Sequence, residues 1–225
     1  MSTGTQTLES MSQAVWYNQW TVKKFEEYLK GDILEVGCGI GNFTETLRKY
    51  GEVWAIDIES KYVKQTASII GNKSGIGDIE KGNYFFNGKQ FDCVVCLNVL
   101  EHIKDDKRAL ENIYKLVKTG GVVILIVPAF DFLYGEIDKS IGHFRRYNKE
   151  NLVEKVERVG FETIKCRVIN FLGAVGWWIS SKLLSNNKVD EEKIKLFNFV
   201  APIVLPLEDI FEPPIGTSIL MIVKK

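Results

Sequence analysis

Net charge is the first thing this chain lacks: 29 lysines and arginines balance 29 aspartates and glutamates over 225 residues. Such a chain exerts no general electrostatic pull on a polyanion, so no nucleic-acid partner is expected. Cysteine is sparse, with Cys38, Cys93, Cys96 and Cys166 scattered along the chain. Cys93 and Cys96 form a CxxC, but inside the apolar run Phe91 to Leu97. Residues three apart on a strand point to opposite faces, so the two thiols cannot share an ion. No second CxxC exists. The thiols read as buried and reduced, and no metal site is expected. Met1 to Ser12 lacks the basic-then-apolar pattern of a secretory signal, so the expected location is cytoplasmic. There are no internal repeats and no low-complexity tracts. Histidine occurs only twice, at His102 and His143.

The length suffices for one well-buried core, and residues 1–225 read as a single domain. Apolar spacing predicts an amphipathic helix over 14–30, ended by Gly31. Strands follow at 33–36, 53–58, near 75–77, 91–97 and 122–127, with helices at 43–50, 61–70 and 106–117 between them. Nearly continuous apolar strands alternating with helices imply a parallel sheet covered on both faces, a core spanning 31–169. A helix at 149–159, a strand at 161–169 and a last strand within 217–225 complete the pattern. The stretch 170–216 is too long for a simple connection and reads as an apolar helical insertion or cap.

Between the first strand and its helix stands Glu35-Val36-Gly37-Cys38-Gly39-Ile40-Gly41-Asn42. Glycines there permit a tight turn and close approach of a ligand, and the next helix offers free N–H groups. The dinucleotide fingerprint wants glycine where Asn42 stands, so the turn suits a ligand without a pyrophosphate. Asp57 closes the second strand, where a carboxylate accepts hydrogen bonds from ribose hydroxyls.

Leu34 to Thr44 resembles motif I of the class I S-adenosylmethionine-dependent methyltransferases, and the resemblance continues in order through residues 14–165. It implies a Rossmann-like, doubly wound α/β fold. The sheet would have seven strands, the last one antiparallel, with the helical insertion between strands six and seven. It implies S-adenosylmethionine as cofactor. Gly37, Cys38, Gly39, Gly41 and Asn42 would meet its amino-acid part, with Glu35 supporting the turn and the methionine ammonium. Asp57 would hold the ribose and Ile58 would pack on the adenine. Gly77-Asp78-Ile79-Glu80 resembles the next motif, placing Asp78 and Ile79 at the adenine, although Asp78 also suits a simple turn former. Asn98, Val99 and His102 belong to the segment that lies along the cofactor. Lys118-Thr119-Gly120-Gly121 stands where the family has Lys-Pro-Gly-Gly.

Methyl transfer needs in-line alignment, exclusion of water and sometimes a base. The segment Val127 to Tyr147 resembles a subgroup of type 11 and type 12 methyltransferases with a Gly-His-x-Arg-Arg-Tyr signature. Tyr134, His143 and Arg146 are its candidate catalytic residues. His143 equally suits a helix cap, and one arginine of the pair Arg145-Arg146 equally suits pinning the loop through Asp138 or Glu136. Asn98-Val99-Leu100-Glu101 is unlike Asn-Pro-Pro-Tyr, which disfavours amide or exocyclic-amine methylation of that type. The expected acceptor is a small or lipid-linked molecule. The alternatives are a protein acceptor, or a binding protein that keeps the fold without turnover. The apolar stretches within 170–207 are too short or too broken by proline to span a bilayer. They read as lid or core, with peripheral membrane contact as the alternative.

Overall fold

The computed structural model describes residues 14–178 and 191–225. Met1 to Ser12, read above for a signal pattern, and residues 179–190 of the expected insertion lie outside the described residues. Eight strands among those described form one sheet in the order β4-β3-β2-β1-β5-β6-β8-β7. They are β1 (Asp32–Val36), β2 (Glu52–Asp57), β3 (Ser74–Asp78), β4 (Asn83–Tyr84), β5 (Phe91–Leu97), β6 (Val117–Pro128), β7 (Glu162–Ile169) and β8 (Ser218–Lys224). β1, β2, β3, β5 and β6 run parallel, while β8 lies antiparallel between β6 and β7. The expected count of seven is one short. The extra strand is the two-residue β4, paired antiparallel with β3 at the sheet edge, in a stretch whose glycines and asparagines read as irregular loop.

Side chains alternate between two cores, one on each face. In β8, Ile219, Met221 and Val223 enter one apolar cluster, and Leu220 and Ile222 enter the other. β6 repeats the pattern, with Val123, Leu125 and Val127 against Val122, Ile124 and Ile126. A strand apolar at every position must be covered on both faces, and each such side chain contributes about 1.5–3 kcal/mol when buried. The same alternation separates Cys93 from Cys96, which lie in opposite cores.

Helices supply the cover. α1 (Val15–Lys23), α2 (Thr44–Leu47), α3 (Ser60–Ile70), α4 (Asp106–Leu116), α5 (Glu136–Ile141), α6 (Lys149–Val159), α7 (Phe171–Trp178) and α8 (Glu191–Val204) follow in chain order. α4 and α6 cover the Leu125 face; Trp20 and Val22 of α1 and Ala201 of α8 cover the Ile124 face. The single helix expected over 14–30 is instead α1, a break at Phe25 and a short 3-10 turn, Glu26–Tyr28. Val22, Phe25 and Leu29 stay buried on both sides of the break. The helix expected over 43–50 shrinks to the four residues of α2. α7 and α8 fall between β7 and β8, with Leu205–Asp209 adding a 3-10 turn.

Candidate active site

The strand order reverses at β1. β2 and β3 lie on one side of it, β5 and β6 on the other. In register, Val36 sits beside Ile56 and beside Cys96. The residues just past these positions therefore meet at one crevice: the glycine turn after β1, Asp57 at the end of β2, and Asn98 and Val99 after β5. A crevice at the carboxyl ends of the strands, where the order reverses, is where open α/β sheets bind ligands.

Hydrogen bonds lock the turn. Gly37 and Cys38 donate to the Ile56 carbonyl at 2.8 and 3.1 Å, and Gly41 donates to Cys38 O at 3.0 Å. Gly37 has φ +72°, and a Cβ there would come within 2.4 Å of Val99 Cγ2. Gly37 is thus required twice, for its left-handed conformation and for the close approach of the next loop. Asp57 is buried. Its Oδ2 accepts from the Gly39 N–H and its Oδ1 from the Glu59 N–H, both at 2.9 Å. Burial pushes its carboxyl above the usual range against those two bonds. Glu35, also buried, accepts a hydrogen bond from the Thr44 hydroxyl. Burial pushes Glu35 up to about 8, opposed by the Thr44 bond and helped by the negative charge of Asp57. Burial pushes the Cys38 thiol up to about 12, with Glu35 adding to it, so it stays protonated at neutral pH.

The other expected cofactor residues divide. Ile58 is exposed beside Asp57, an apolar platform, and Asn42 lies half-buried at the exit of the turn. Asn98 is exposed and takes φ +54°, which aims the chain from β5 across the turn. Asp78 closes a turn, accepting from the Lys81 N–H at 3.0 Å and pairing with Lys81 Nζ at 2.7 Å. Ile79 is buried in the core.

A second constellation borders the crevice. The loop after β6 and the loop after α5 return toward the 3-10 turn Leu100–His102, where Phe144 N donates to Glu101 O at 2.8 Å. His143 Nδ1 lies 2.8 Å from Asp138 Oδ1. Arg146 grips the same carboxylate in a fork, Nε to Oδ1 at 3.0 Å and NH2 to Oδ2 at 3.1 Å, and donates from NH1 to Ala129 O at 3.1 Å. Burial raises the Asp138 carboxyl, but the bonds from His143 and Arg146 outweigh it and leave Asp138 below the usual range. Arg146 is buried and points at the loop framework rather than the crevice, while Tyr134 donates its hydroxyl to His143 O at 2.8 Å. Of the three expected catalytic residues, His143 is thus the one presented by the other two. Its ring meets that of His102 edge-on, with centroids 4.6 Å apart. Glu101 completes the group. It is fully buried, pushed up to about 8 by that burial, and neither carboxylate oxygen has a hydrogen-bond partner. Glu101 carries no role in the expectations above, and Asp138 only that of a partner by which an arginine pins the loop. The signal for Glu101 was present as an acid beside His102, but a short sequence gives no sign that its side chain turns inward.

Residues 34–125 match a family model described as a methyltransferase domain. An uncharacterised protein of Methanocaldococcus jannaschii is 26% identical over 157 residues, 68% of this chain and 65% of the relative. The chain thus spans just under two thirds of that relative's length. A ubiquinone biosynthesis O-methyltransferase of Rickettsia bellii is 26% identical over 181 residues, covering 71% of each protein. Among solved structures, an S-adenosylmethionine-dependent methyltransferase of Thermotoga maritima superposes with a TM-score of 0.65 at 18% identity, over 94% of this chain and 89% of the other. A phosphoethanolamine N-methyltransferase of Haemonchus contortus, solved with S-adenosyl-L-methionine bound, superposes with a TM-score of 0.59 at 17% identity, over 93% of this chain and 52% of the other. Residues 34–125 are therefore similar to a methyltransferase domain, and the sheet shares the fold of the solved methyltransferases on which it superposes.

Proposed function

We propose that this protein transfers a methyl group from S-adenosylmethionine to a small or lipid-like acceptor. The observation that carries this reading is the locked unit at the switch point, in which the Gly37–Gly41 turn and the Asp57 carboxylate are held in one piece. The residues fit the cofactor. Asp57 spends one acceptor site per oxygen on backbone N–H groups and keeps others for a ribose diol. Exposed Ile58 offers an apolar face to a purine, and the open glycine turn admits an amino-acid tail. Bound there, the cofactor would supply an electrophilic methyl carbon to the acceptor's lone pair, the carbon–sulfur pair staying on sulfur. His143, held by Asp138 and Tyr134, would act on the acceptor side. Arg146 acts as a positioning residue through Asp138. The name of the Rickettsia relative supports an oxygen atom as acceptor. Exposed Phe199, Ile203, Leu207, Ile210 and Phe211 on and after α8 support an apolar one.

Isothermal titration of the purified protein with S-adenosylmethionine, S-adenosylhomocysteine and NAD tests the reading. Binding of both sulfur compounds near the micromolar range, without NAD, is expected. Asp57→Ala is expected to weaken that binding more than tenfold. An affinity kept within twofold by Asp57→Ala removes the ribose assignment, and no binding of either sulfur compound makes this a protein that keeps the fold without the reaction.

A further inference from the structure

Glu101, His102 and His143 each offer one ligand-type atom, and these atoms all lie within 4.8 Å of one another. We propose that the three side chains form a binding site for a divalent transition cation, of the zinc, cobalt or manganese type, at the edge of the methyl-transfer crevice.

Three independent features carry this. First, Glu101 is 0% exposed and both of its carboxylate oxygens lack a hydrogen-bond partner. A buried carboxylate in that condition is costly unless something cationic satisfies it. Its nearest cationic-capable neighbour at this point, His143 Nε2, stands 3.8 Å from Oε1. That is too long for a hydrogen bond. Two ligands each ~2.1 Å from one ion are separated by about 3 to 4 Å, which this distance matches.

Second, His143 is prepared as a ligand. Asp138 Oδ1, 2.8 Å away, engages Nδ1. With the proton on Nδ1, the Nε2 lone pair is left facing Glu101. A carboxylate behind a histidine is the arrangement that sets the tautomer and ring orientation of metal-bound imidazoles. Asp138 is itself fixed by the Arg146 fork and by the Gly135 N–H at 2.9 Å. The ring is therefore held before any ion arrives.

Third, the place suits a function. His102 is exposed at the crevice, so the ion would be reachable from solvent. Val99, two residues before Glu101, packs on Gly37 of the glycine turn. Two imidazoles and one carboxylate favour a borderline transition ion over magnesium. Three protein ligands leave coordination positions open. If the crevice performs methyl transfer, on which this part rests, an acceptor hydroxyl would take an open position and lose its proton to solvent more readily.

Equilibrium dialysis of the metal-free, tag-free protein against Co2+ at neutral pH, read by the visible absorption of bound cobalt, tests the site. One Co2+ per chain is expected, weakened more than tenfold by His102→Ala and by Glu101→Gln. His102 is exposed and Glu101→Gln keeps the shape, and a thermal melt establishes that both variants fold. Absence of stoichiometric binding, or equal affinity in folded variants, overturns the cation site. The same preparation is titrated with S-adenosylmethionine. Cobalt binding without cofactor binding leaves the cation site standing and removes methyl transfer; cofactor binding without cobalt does the reverse.

Discussion

Single residues in this molecule are asked to hold conformations and charges that the bulk of the chain avoids. Gly37 needs both a positive φ and the absence of a Cβ, because Val99 occupies the space a side chain would need. Glu35 is a carboxyl buried beside Asp57 and raised to about 8 by that burial. An unfolded glutamate titrates near 4.3. Between these values the folded chain keeps a proton that the unfolded chain releases. Glu35's contribution to stability is therefore fully present below about pH 4 and is lost as pH rises through about 8. In melts from pH 5 to pH 9, the wild type is expected to lose more melting temperature than Glu35→Gln. Identical slopes would show that Glu35 is ionised throughout.

At the scale of elements, the loops at the carboxyl ends of β5 and β6 are organised by one buried ion pair. Asp138 begins life in α5, receives Arg146 and His143 from the loop that follows, and through Arg146 NH1 is tied to Ala129 beyond β6. The pairing answers the alternatives left open for the Arg145-Arg146 pair: Arg146 pins the loop, and Arg145 pairs with Asp106 at 3.0 Å. Removing one partner of a buried pair leaves the other charge uncompensated. Arg146→Ala is expected to cost about 3–5 kcal/mol in urea unfolding. A loss below about 1 kcal/mol, the size of an exposed pair, would mean that water reaches Asp138.

Over the whole molecule, the two faces of the sheet are finished differently. On one, α4 and α6 close the core. On the other, α1 and α8 pack through Trp20, Phe197 and Ala201, yet Phe199, Ile203, Leu207, Ile210 and Phe211 remain 61% to 76% exposed. Phe199 and Ile203, four residues apart on α8, share one side of that helix. Among the described residues no helix is long and apolar enough to cross a membrane. A lipid-like acceptor, as proposed above, would meet these exposed side chains. The double variant Ile210→Asp with Phe211→Asp is expected to reduce co-sedimentation with phosphatidylcholine–phosphatidylglycerol vesicles severalfold. Equal recovery of variant and wild type in the pellet would remove the surface role.

The sequence by itself determined the succession of strands and helices, the glycine turn and the acid that ends β2. Each depends on residues close in the chain: an apolar run, a capping residue, a glycine where φ must be positive. It also carried the resemblance that pointed to the cofactor. What it could not determine depends on residues far apart meeting. α1 ends at Lys23 although the helical apolar spacing runs on through Phe25 and Leu29, which are buried all the same. β4 forms only because β3 presents an unpaired edge. Ile79 joins the core, a burial that local pattern did not specify. Glu101 and His143, some forty residues apart, become neighbours only when the loop after α5 folds back onto the end of β5. Backbone propensity and apolar period are local quantities, whereas the company a buried carboxylate keeps is decided by tertiary packing.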